Sequence, residues 1–185
     1  MKQKENRKIR YTKKVIQDSL MELMKDRSIL KITVKDICAL ADISRSTFYD
    51  HYKDQYDLLQ QIEEETLTYI TDLLNRFEGK YNKQGLTEML EELLNCIANN
   101  NAFQVLFSEY GDLDFQSKLF KRHFTLHKQL AKNFYGKMHD EETVACYFIF
   151  TSNGTSSLIQ YWLKNNMHIP VPQLAKMIVK WTTGQ

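Results

Sequence analysis

The sequence predicts an all-α protein, and three observations support that prediction. The 185 residues include only 6 Gly and 2 Pro, whereas a many-stranded sandwich or barrel needs turn residues about every 10 positions. Apolar residues recur at the helical spacing of three and four in one segment after another. Residues that cap helices well stand before these segments. We therefore expect about nine helices and no strand.

Each helix is predicted from an apolar stripe and a start signal. The residues expected to cap helix N-termini are Thr33, Ser44, Asp54, Asn101 and Asp140, and Pro170 and Pro172 introduce the last helix. Asp36 stands three residues after Thr33, as in a capping box. The predicted helices cover approximately residues 9–25, 34–40, 44–52, 54–77, 86–97, 101–107, 112–137, 140–165 and 172–181.

Charge is distributed unevenly along the chain. Residues 1–53 contain 13 Lys or Arg and 7 Asp or Glu, a net charge of +6, whereas residues 54–185 contain 12 and 16, a net charge of −4. A basic region of this kind is typical of a surface that binds a polyanion, although a solvated basic tail is the alternative. We divide the chain into a head (1–53), a connecting helix (54–78) and a body (79–185).

The segment from Thr33 to Tyr52 has the plan of a helix-turn-helix, in which two short capped helices are joined by a tight turn. Any three-helix core can contain such a pair, so spacing alone does not establish DNA binding. Arg45 can form two hydrogen bonds with a guanine edge, and the free N–H groups beside Thr33 favour a phosphate. The residues expected to pack the two helices together are Val34, Ile37, Ala41, Ile43 and Phe48.

The run ITVKDICALADISRSTFYDHYKDQYDLL resembles the N-terminal domain of the TetR/AcrR family of bacterial transcriptional regulators. The residues that carry the resemblance are Thr33, Val34, Ile37, Ala41, Ser44, Thr47, Phe48, Tyr49, His51, Tyr52, Leu58 and Leu59. The resemblance implies a homodimer whose heads enter the major groove of double-stranded DNA and whose body binds an effector. The DNA-binding residues expected from the motif are Thr33, Ser44, Arg45, Ser46, Thr47, Tyr49, His51 and Lys53.

Two positions depart from the family pattern. Asp42 stands where the turn usually has Gly, but Asp tolerates the left-handed conformation better than most residues. Gln55 stands where the family has a phosphate-contacting Lys, so one positive contact is missing unless Lys53 replaces it. This second departure motivates an alternative function, a regulatory adaptor of the same fold that binds protein or ligand and has little DNA affinity.

The long helix over residues 140–165 is predicted to contribute to a dimer interface. Residues 143–163 contain no charge. A helix that has no polar, solvent-exposed face needs apolar partners on more than one side. One partner is the core of its own chain, and the other is the same helix of a second subunit; a helix at the centre of a monomer is the alternative. The residues expected at the interface are Phe148, Gly154, Leu158, Trp162, Leu174, Ile178 and Trp181.

Aromatic residues in the body define a possible effector pocket, although aromatics at helical spacing are also typical of an ordinary core. An uncharged lining would favour a small apolar or aromatic effector. The candidate lining residues are Phe103, Phe107, Tyr110, Phe124, His127, Tyr147 and Phe150.

The sequence indicates neither an enzyme nor a cofactor. His123 and His127 have the spacing of a metal pair but lack the glutamate of HExxH, so no metal site is predicted. The three cysteines form no disulfide pattern, and the N-terminus has no apolar signal segment. We therefore expect a cytoplasmic protein without membrane contact. A regulator released from DNA by a small molecule, most simply a repressor, is the leading hypothesis, and the adaptor is the alternative.

Overall fold

The structure is a computed structural model, and it describes residues 2–80, 82–111, 115, 118–119, 121–122 and 140–184. Across these ranges the chain forms eight α-helices and one 3₁₀ turn, Ile29–Lys31, and no strand, so the predicted all-α class is confirmed. Residues 115, 118–119 and 121–122 are helical, but most of the helix predicted over 112–137 lies outside the described residues. The helices are α1 Lys2–Leu23, α2 Val34–Ala41, α3 Arg45–Tyr49, α4 Gln55–Asn75, α5 Lys83–Asn99, α6 Asn101–Leu106, α7 Glu141–Lys164 and α8 Val171–Thr183.

Four of the five predicted N-cap residues cap the helices for which they were predicted. Thr33, Ser44, Asp54 and Asp140 each accept a hydrogen bond from a backbone N–H in the first turn of the following helix. Asn101 was predicted to cap α6, but the cap is the preceding residue, Asn100, whose side chain accepts from two backbone N–H groups. Two adjacent asparagines are equivalent in sequence, so only the backbone geometry distinguishes them.

Two helix starts differ from the predicted positions, and α8 starts where Pro170 and Pro172 predict it. α1 begins at Lys2 rather than near residue 9, because the apolar stripe marks only the part of the helix that packs on the core. α5 begins at Lys83, where Asn82 caps it, so Gly85 lies inside the helix and not before it. A Cβ atom at Gly85 would lie 2.3 Å from the Lys80 carbonyl oxygen, so the close approach of the preceding turn requires glycine there. α8 begins at Val171 and continues to Thr183.

The core of the head lies between α1, α2, α3 and the start of α4. The side chains of Ile16, Leu20, Ile37 and Phe48 are fully buried there. α4 continues from the head into the body, and α1 and α4 also contact α6. The head therefore rests directly on the body.

The body is held together by contacts between distant parts of the chain. α5 packs along α8, and Leu94 and Ile178 are buried in this core. Trp162 of α7 is buried, and its indole N–H donates to the carbonyl of Ile169 at 2.8 Å. The Tyr147 hydroxyl donates to the Thr182 carbonyl at 2.6 Å, which fixes the start of α7 against the end of α8.

Candidate nucleic-acid interface

A capping box fixes the start of α2. The Thr33 hydroxyl oxygen accepts from the Asp36 N–H at 3.2 Å, and the Thr33 N–H donates to the Asp36 carboxylate at 3.0 Å. The Thr33 hydroxyl also donates to that carboxylate at 2.8 Å. These hydrogen bonds, with smaller contributions from the nearby Arg27 and Lys35 charges, hold the pKa of Asp36 below its ordinary value. The predicted capping box is confirmed, and the exposed Thr33 stands at the N-terminal end of α2.

The turn between α2 and α3 depends on Asp42. This residue adopts the left-handed conformation, with φ 51° and ψ 50°, and its N–H donates to the Cys38 carbonyl. The Ile43 N–H donates to the same carbonyl at 3.1 Å. Left-handed backbone is usual for Gly and tolerated by Asp, so the turn forms without the glycine that the family pattern has at this position.

α3 is a short helix that is anchored from one side. Its cap, Ser44, accepts from the Thr47 N–H at 3.1 Å. Phe48 is fully buried, and its ring packs edge-on against Tyr49 with centroids 5.6 Å apart. Because Phe48 points into the core, the residues on the other side of this helix are left at the surface. Arg45, Ser46 and Tyr49 are exposed there, and Thr47 is half-buried.

The junction between α3 and α4 is ordered by two carboxylates. Asp54 accepts from the backbone N–H groups of Tyr56 and Asp57 at 2.9 and 2.8 Å. Asp57 accepts from the Lys53 N–H at 2.9 Å, and this bond, with one from the Gln61 side chain, lowers the pKa of Asp57. The Lys53 side chain is exposed, which leaves its ammonium group available to a ligand.

All eight predicted DNA-binding residues lie on the segment from α2 to the start of α4. His51 and Thr47 are half-buried, and the others are exposed: Thr33, Ser44, Arg45, Ser46, Tyr49 and Lys53. Gln55 is the first residue of α4 and contributes no charge.

The sequence places Lys13 of α1 in the basic region but does not show that this cation lies at the helix-turn-helix. Its ammonium group lies 5.6 Å from the ring centroid of Tyr52. Tyr52 is buried, and burial, with a smaller effect of the Glu65 charge, raises its pKa to about 12. A lysine on an outer helix gives no sequence signal for such a contact, because the contact depends on how α1 crosses α4.

Comparison with known protein families gives two matches. A family profile described as bacterial regulatory proteins, tetR family, matches residues 16–62. A second profile, described as transcriptional regulator C-terminal region, matches residues 84–184 and therefore more than half of the chain. The chain belongs to the TetR family. TetR-family regulators bind DNA and dimerise, and this membership confirms the resemblance seen in the helix-turn-helix sequence.

Similar proteins agree with this assignment. An uncharacterized HTH-type transcriptional regulator of Bacillus subtilis, YxbF, is 25% identical over 181 residues, which cover 95% of this chain but 46% of the relative. The chain thus spans about half the length of that relative. A TetR transcriptional regulator from Streptococcus agalactiae has the same fold with a TM-score of 0.73, 22% identity and 99% coverage of both chains. FadR from Bacillus subtilis, solved in complex with stearoyl-CoA, has a TM-score of 0.69, 14% identity and coverage of 91% and 96%.

The body of this TetR-family protein places the predicted interface residues in two environments. Gly154 and Trp181 are exposed, and Leu158 is half-buried. The remaining four lie in the chain's own core: Phe148, Trp162, Leu174 and Ile178. Their burial within one chain places them beneath the surface, whereas Gly154 and Trp181 lie at the surface. The sequence of an uncharged helix does not reveal which of its faces is internal, and the assignment of these residues to a dimer interface stays a prediction.

A neighbouring face of α7 carries the exposed apolar residues. Phe150 is 77% exposed, Ile149 and Tyr161 are also exposed, and Trp181 of α8 is 54% exposed. A Cβ atom at Gly154 would meet nothing within 4 Å, so the middle of this face is open. We call Ile149, Phe150, Gly154, Tyr161 and Trp181 the outer face.

Among the described residues, the predicted effector positions fall in different environments. Phe103 and Phe107 are buried and pack edge-on against Tyr69 and Phe115, with centroids 5.6 and 5.7 Å apart. The Tyr147 hydroxyl is bonded to the Thr182 carbonyl. Phe150 belongs to the outer face, and Phe124, His127 and His123 lie outside the described residues. Of the five that the structure describes, Phe103 and Phe107 are core residues, and the assignment of an effector pocket to these positions stays a prediction.

Tyr110 does line open space, in two clefts of about 740 and 550 Å³. The larger cleft lies between the head, α4 and the body, and its lining includes Leu30, Tyr56 and Glu63. Glu63 is buried and pairs with Lys118 at 2.9 Å. The lining of this cleft is therefore charged as well as apolar, because Glu63 of α4 and Lys118 both line it.

Two further observations bear on the predicted absences. Among the described residues, no helix is long and apolar enough to cross a membrane. Within the same ranges, no group of three or more His, Cys, Asp or Glu side chains is arranged to hold a metal ion.

Proposed function

We propose that this protein is a homodimeric repressor that binds duplex DNA through α3 and leaves it when a small molecule binds. One observation carries the proposal. α3 is anchored by the buried Phe48, while Arg45, Ser46 and Tyr49 are exposed on the surface of the head. A short helix with exposed polar side chains and a fixed orientation has the geometry that major-groove reading requires. The family membership favours this function over the adaptor alternative.

Different roles suit the different residues of the head. Arg45 has the donor geometry to read a guanine, and Ser46, Thr47 and Tyr49 are placed for base edges or nearby phosphates. Thr33, Ser44, His51 and Lys53 suit phosphate contacts that set the position of the head on the duplex. Because Gln55 stands where the family pattern has a Lys, this second set has one cation fewer. Positive charge elsewhere on the head therefore becomes more important for binding phosphates.

Exchange of two α3 residues tests the DNA-binding proposal. We expect Arg45→Ala with Tyr49→Ala to weaken binding to the duplex that flanks the gene by at least about 10-fold, since one lost bidentate base contact is worth about 1–3 kcal/mol. Binding to a scrambled duplex should change much less. Fluorescence anisotropy measures both affinities. Arg76→Ala removes an exposed guanidinium at the end of α4, away from α3, and should leave both affinities unchanged. Full retention of preference for the flanking duplex by the α3 variant would contradict the assignment.

The outer face supports the proposed homodimer. Phe150, Gly154 and Tyr161 recur along α7 at helical spacing, and aromatic residues of this kind dominate protein interfaces. A two-fold axis at this face would pack α7 and α8 against the same helices of the second subunit and would present two heads to one duplex.

A charge placed in the outer face tests the dimer. Phe150→Asp should convert the protein to a monomer, because it would bury a carboxylate against a second copy of itself. Leu30→Asp is the matched control, since Leu30 is equally exposed but lies on the 3₁₀ turn of the head. Sedimentation velocity distinguishes the two. If Phe150→Asp remains dimeric, another surface forms the interface.

The larger cleft supports a site for the proposed effector. It joins residues of the 3₁₀ turn with Tyr110 and Lys118 of the body, so an occupant would change how the head sits on the body. Tyr56 and Leu59 provide apolar surface, while Glu63 and Lys118 provide charge. We infer an effector with an apolar or aromatic part and one polar group. The stearoyl-CoA complex of FadR shows that a related fold holds a ligand of mixed character.

A further inference from the structure

The first turns of α1 carry exposed positive charge that the α3 reading surface does not explain. Arg7, Lys8 and Arg10, which we call the basic end, are all exposed. Within the described part of the chain, none of the three forms an ion pair. Ile9 is exposed as well, and Tyr11 is 71% exposed, so the head does not cover this part of the helix.

Two contacts fix the direction in which the basic end projects. The Gln17 side-chain amide donates to the Glu65 carboxylate at 3.1 Å, and four residues earlier the Lys13 ammonium lies over the ring of Tyr52. The N-terminal part of α1 therefore lies near the first residue of α4 and the end of α3, and later residues of α1 lie beside later residues of α4. The basic end continues this path for about another 4 to 9 Å beyond Lys13, at 1.5 Å per residue.

The body lies in the opposite direction. A shallow cleft brings Gln17 and Met21 of α1 next to Asn101 and Phe103 of α6, so the later turns of α1 face the body. The basic end consequently extends past the α3–α4 junction on the side away from the body. Lys53 is exposed at this junction.

The charges at this end of the head are mostly positive and mostly unneutralised. Lys13 and Lys53 both act on Asp57 and contribute to its lowered pKa. The carboxylates of Asp54 and Asp57 already accept backbone N–H groups at the junction. The basic end has no comparable acidic partner in the described structure, so its charges are available to a polyanion.

We propose that the basic end is a second DNA contact, which binds backbone phosphates without regard to sequence beside the α3 reading surface. It supplies positive charge near the junction where Gln55 supplies none. This inference rests on the proposed DNA-binding function. It differs from the α3 contact in kind: loss of the basic end should weaken all duplexes equally, whereas loss of Arg45 and Tyr49 should weaken the preferred duplex selectively.

The salt dependence of binding tests the proposal. Arg7→Ala, Lys8→Ala and Arg10→Ala together should preserve the helix, since Ala has the highest helix propensity. A dimer would lose six cations. We expect the slope of log affinity against log salt to become shallower by about 2 to 5, because each neutralised phosphate contributes about 0.9. Affinities for the flanking and the scrambled duplex should fall by the same factor, at least about 10-fold near 0.1 M salt.

Two control variants make the result specific. Lys80→Ala, Lys121→Ala and Lys176→Ala together remove three exposed charges from outside the head and should leave the slope unchanged. Arg7→Lys with Arg10→Lys keeps the charge and should retain the wild-type slope. The proposal is overturned if the basic-end variant binds with the wild-type slope, or if it loses affinity for the flanking duplex alone. Wild-type protein that bound neither duplex would instead overturn the proposed function, and this inference with it.

Discussion

The head and the body are both helical, but contacts over different distances along the chain hold them. In the head, Thr33 with Asp36 and Ser44 with Thr47 are hydrogen-bonded pairs only three residues apart. In the body, the Tyr147 hydroxyl bonds a residue 35 positions away, and α5 packs on α8 across the intervening sequence. Local capping defines the shape of the reading surface, whereas tertiary packing defines the outer face and the clefts.

This difference separates the two regions in how substitutions should act. In the head, a change at a cap alters the start of one short helix and leaves the core in place. In the body, the two faces of α7 and α8 have different roles, because one packs into the chain and the other is exposed. Two substitutions of the same residue type can therefore have opposite effects on stability and assembly.

The two tryptophans of the body offer the largest contrast. Trp162 is 1% exposed and its N–H is bonded to the Ile169 carbonyl, whereas Trp181 belongs to the outer face. Trp162→Ala should lower the free energy of unfolding by about 3–5 kcal/mol, the usual cost of emptying such a site. Trp181→Ala should change it by less than about 0.5 kcal/mol, as at other surface positions. Urea unfolding measures both.

Both tryptophan variants belong in the Phe150→Asp background, because dimerisation would otherwise add to the measured stability. In the wild-type background, Trp181→Ala should instead raise the dissociation constant of the dimer, which sedimentation equilibrium measures. Equal destabilisation by the two substitutions would mean that the outer face is part of the folding core, and the proposed dimer surface would be wrong.

The capping box of α2 gives a smaller effect in the head. Thr33→Ala should lower the free energy of unfolding by about 1 kcal/mol, the typical loss for an N-cap. Thr33→Ser keeps the hydroxyl and should cost much less. Since the folded-state pKa of Asp36 is lowered, the stability that Asp36 contributes is present above its unfolded-state pKa and is lost as the pH falls through the folded-state value, below 3.8. No difference between the two Thr33 variants at neutral pH would argue against local control of the head.

The turn at Asp42 should show the smallest effect. Asp42→Gly relieves the cost of left-handed backbone but increases the freedom of the unfolded chain, so stability should change by less than about 1 kcal/mol. Asp42→Ala lacks both the freedom of glycine and the polar side chain of aspartate, and should destabilise by about 1 kcal/mol. Thermal unfolding of the pair measures the contrast. If Asp42→Ala were as stable as the wild type, the turn would carry no conformational constraint.

The same difference explains how much the sequence could predict. Thr33, Ser44 and Asp54 were identifiable as caps because the residue, its spacing and the following apolar run act locally. The exposure of Arg45 and Tyr49 could also be predicted, because Phe48 on the same short helix is expected to be buried. The outer face could not be assigned in this way, since α7 has apolar residues around most of its circumference and only their burial in the fold shows which are internal.

The clefts and the basic end were beyond sequence reasoning for a related reason. Glu63 lies on α4 among solvated acids in the sequence, and only the approach of Lys118 from the body shows that it is buried. The basic residues of α1 are visible in the sequence, but their position relative to α3 depends on the contacts of Lys13 and Gln17. Long-range geometry, and not residue type, assigns these surfaces.

In vitro selection from a library of random duplexes tests the central claim most directly, because the selection itself identifies the operator sequence. The protein should enrich a two-fold symmetric sequence whose half-sites are separated by one helical turn, about 10 base pairs, or a multiple of it. Arg45→Ala should relax the preference at one guanine of each half-site. Enrichment of no sequence, or of an asymmetric single site that Arg45→Ala leaves unchanged, would contradict the account.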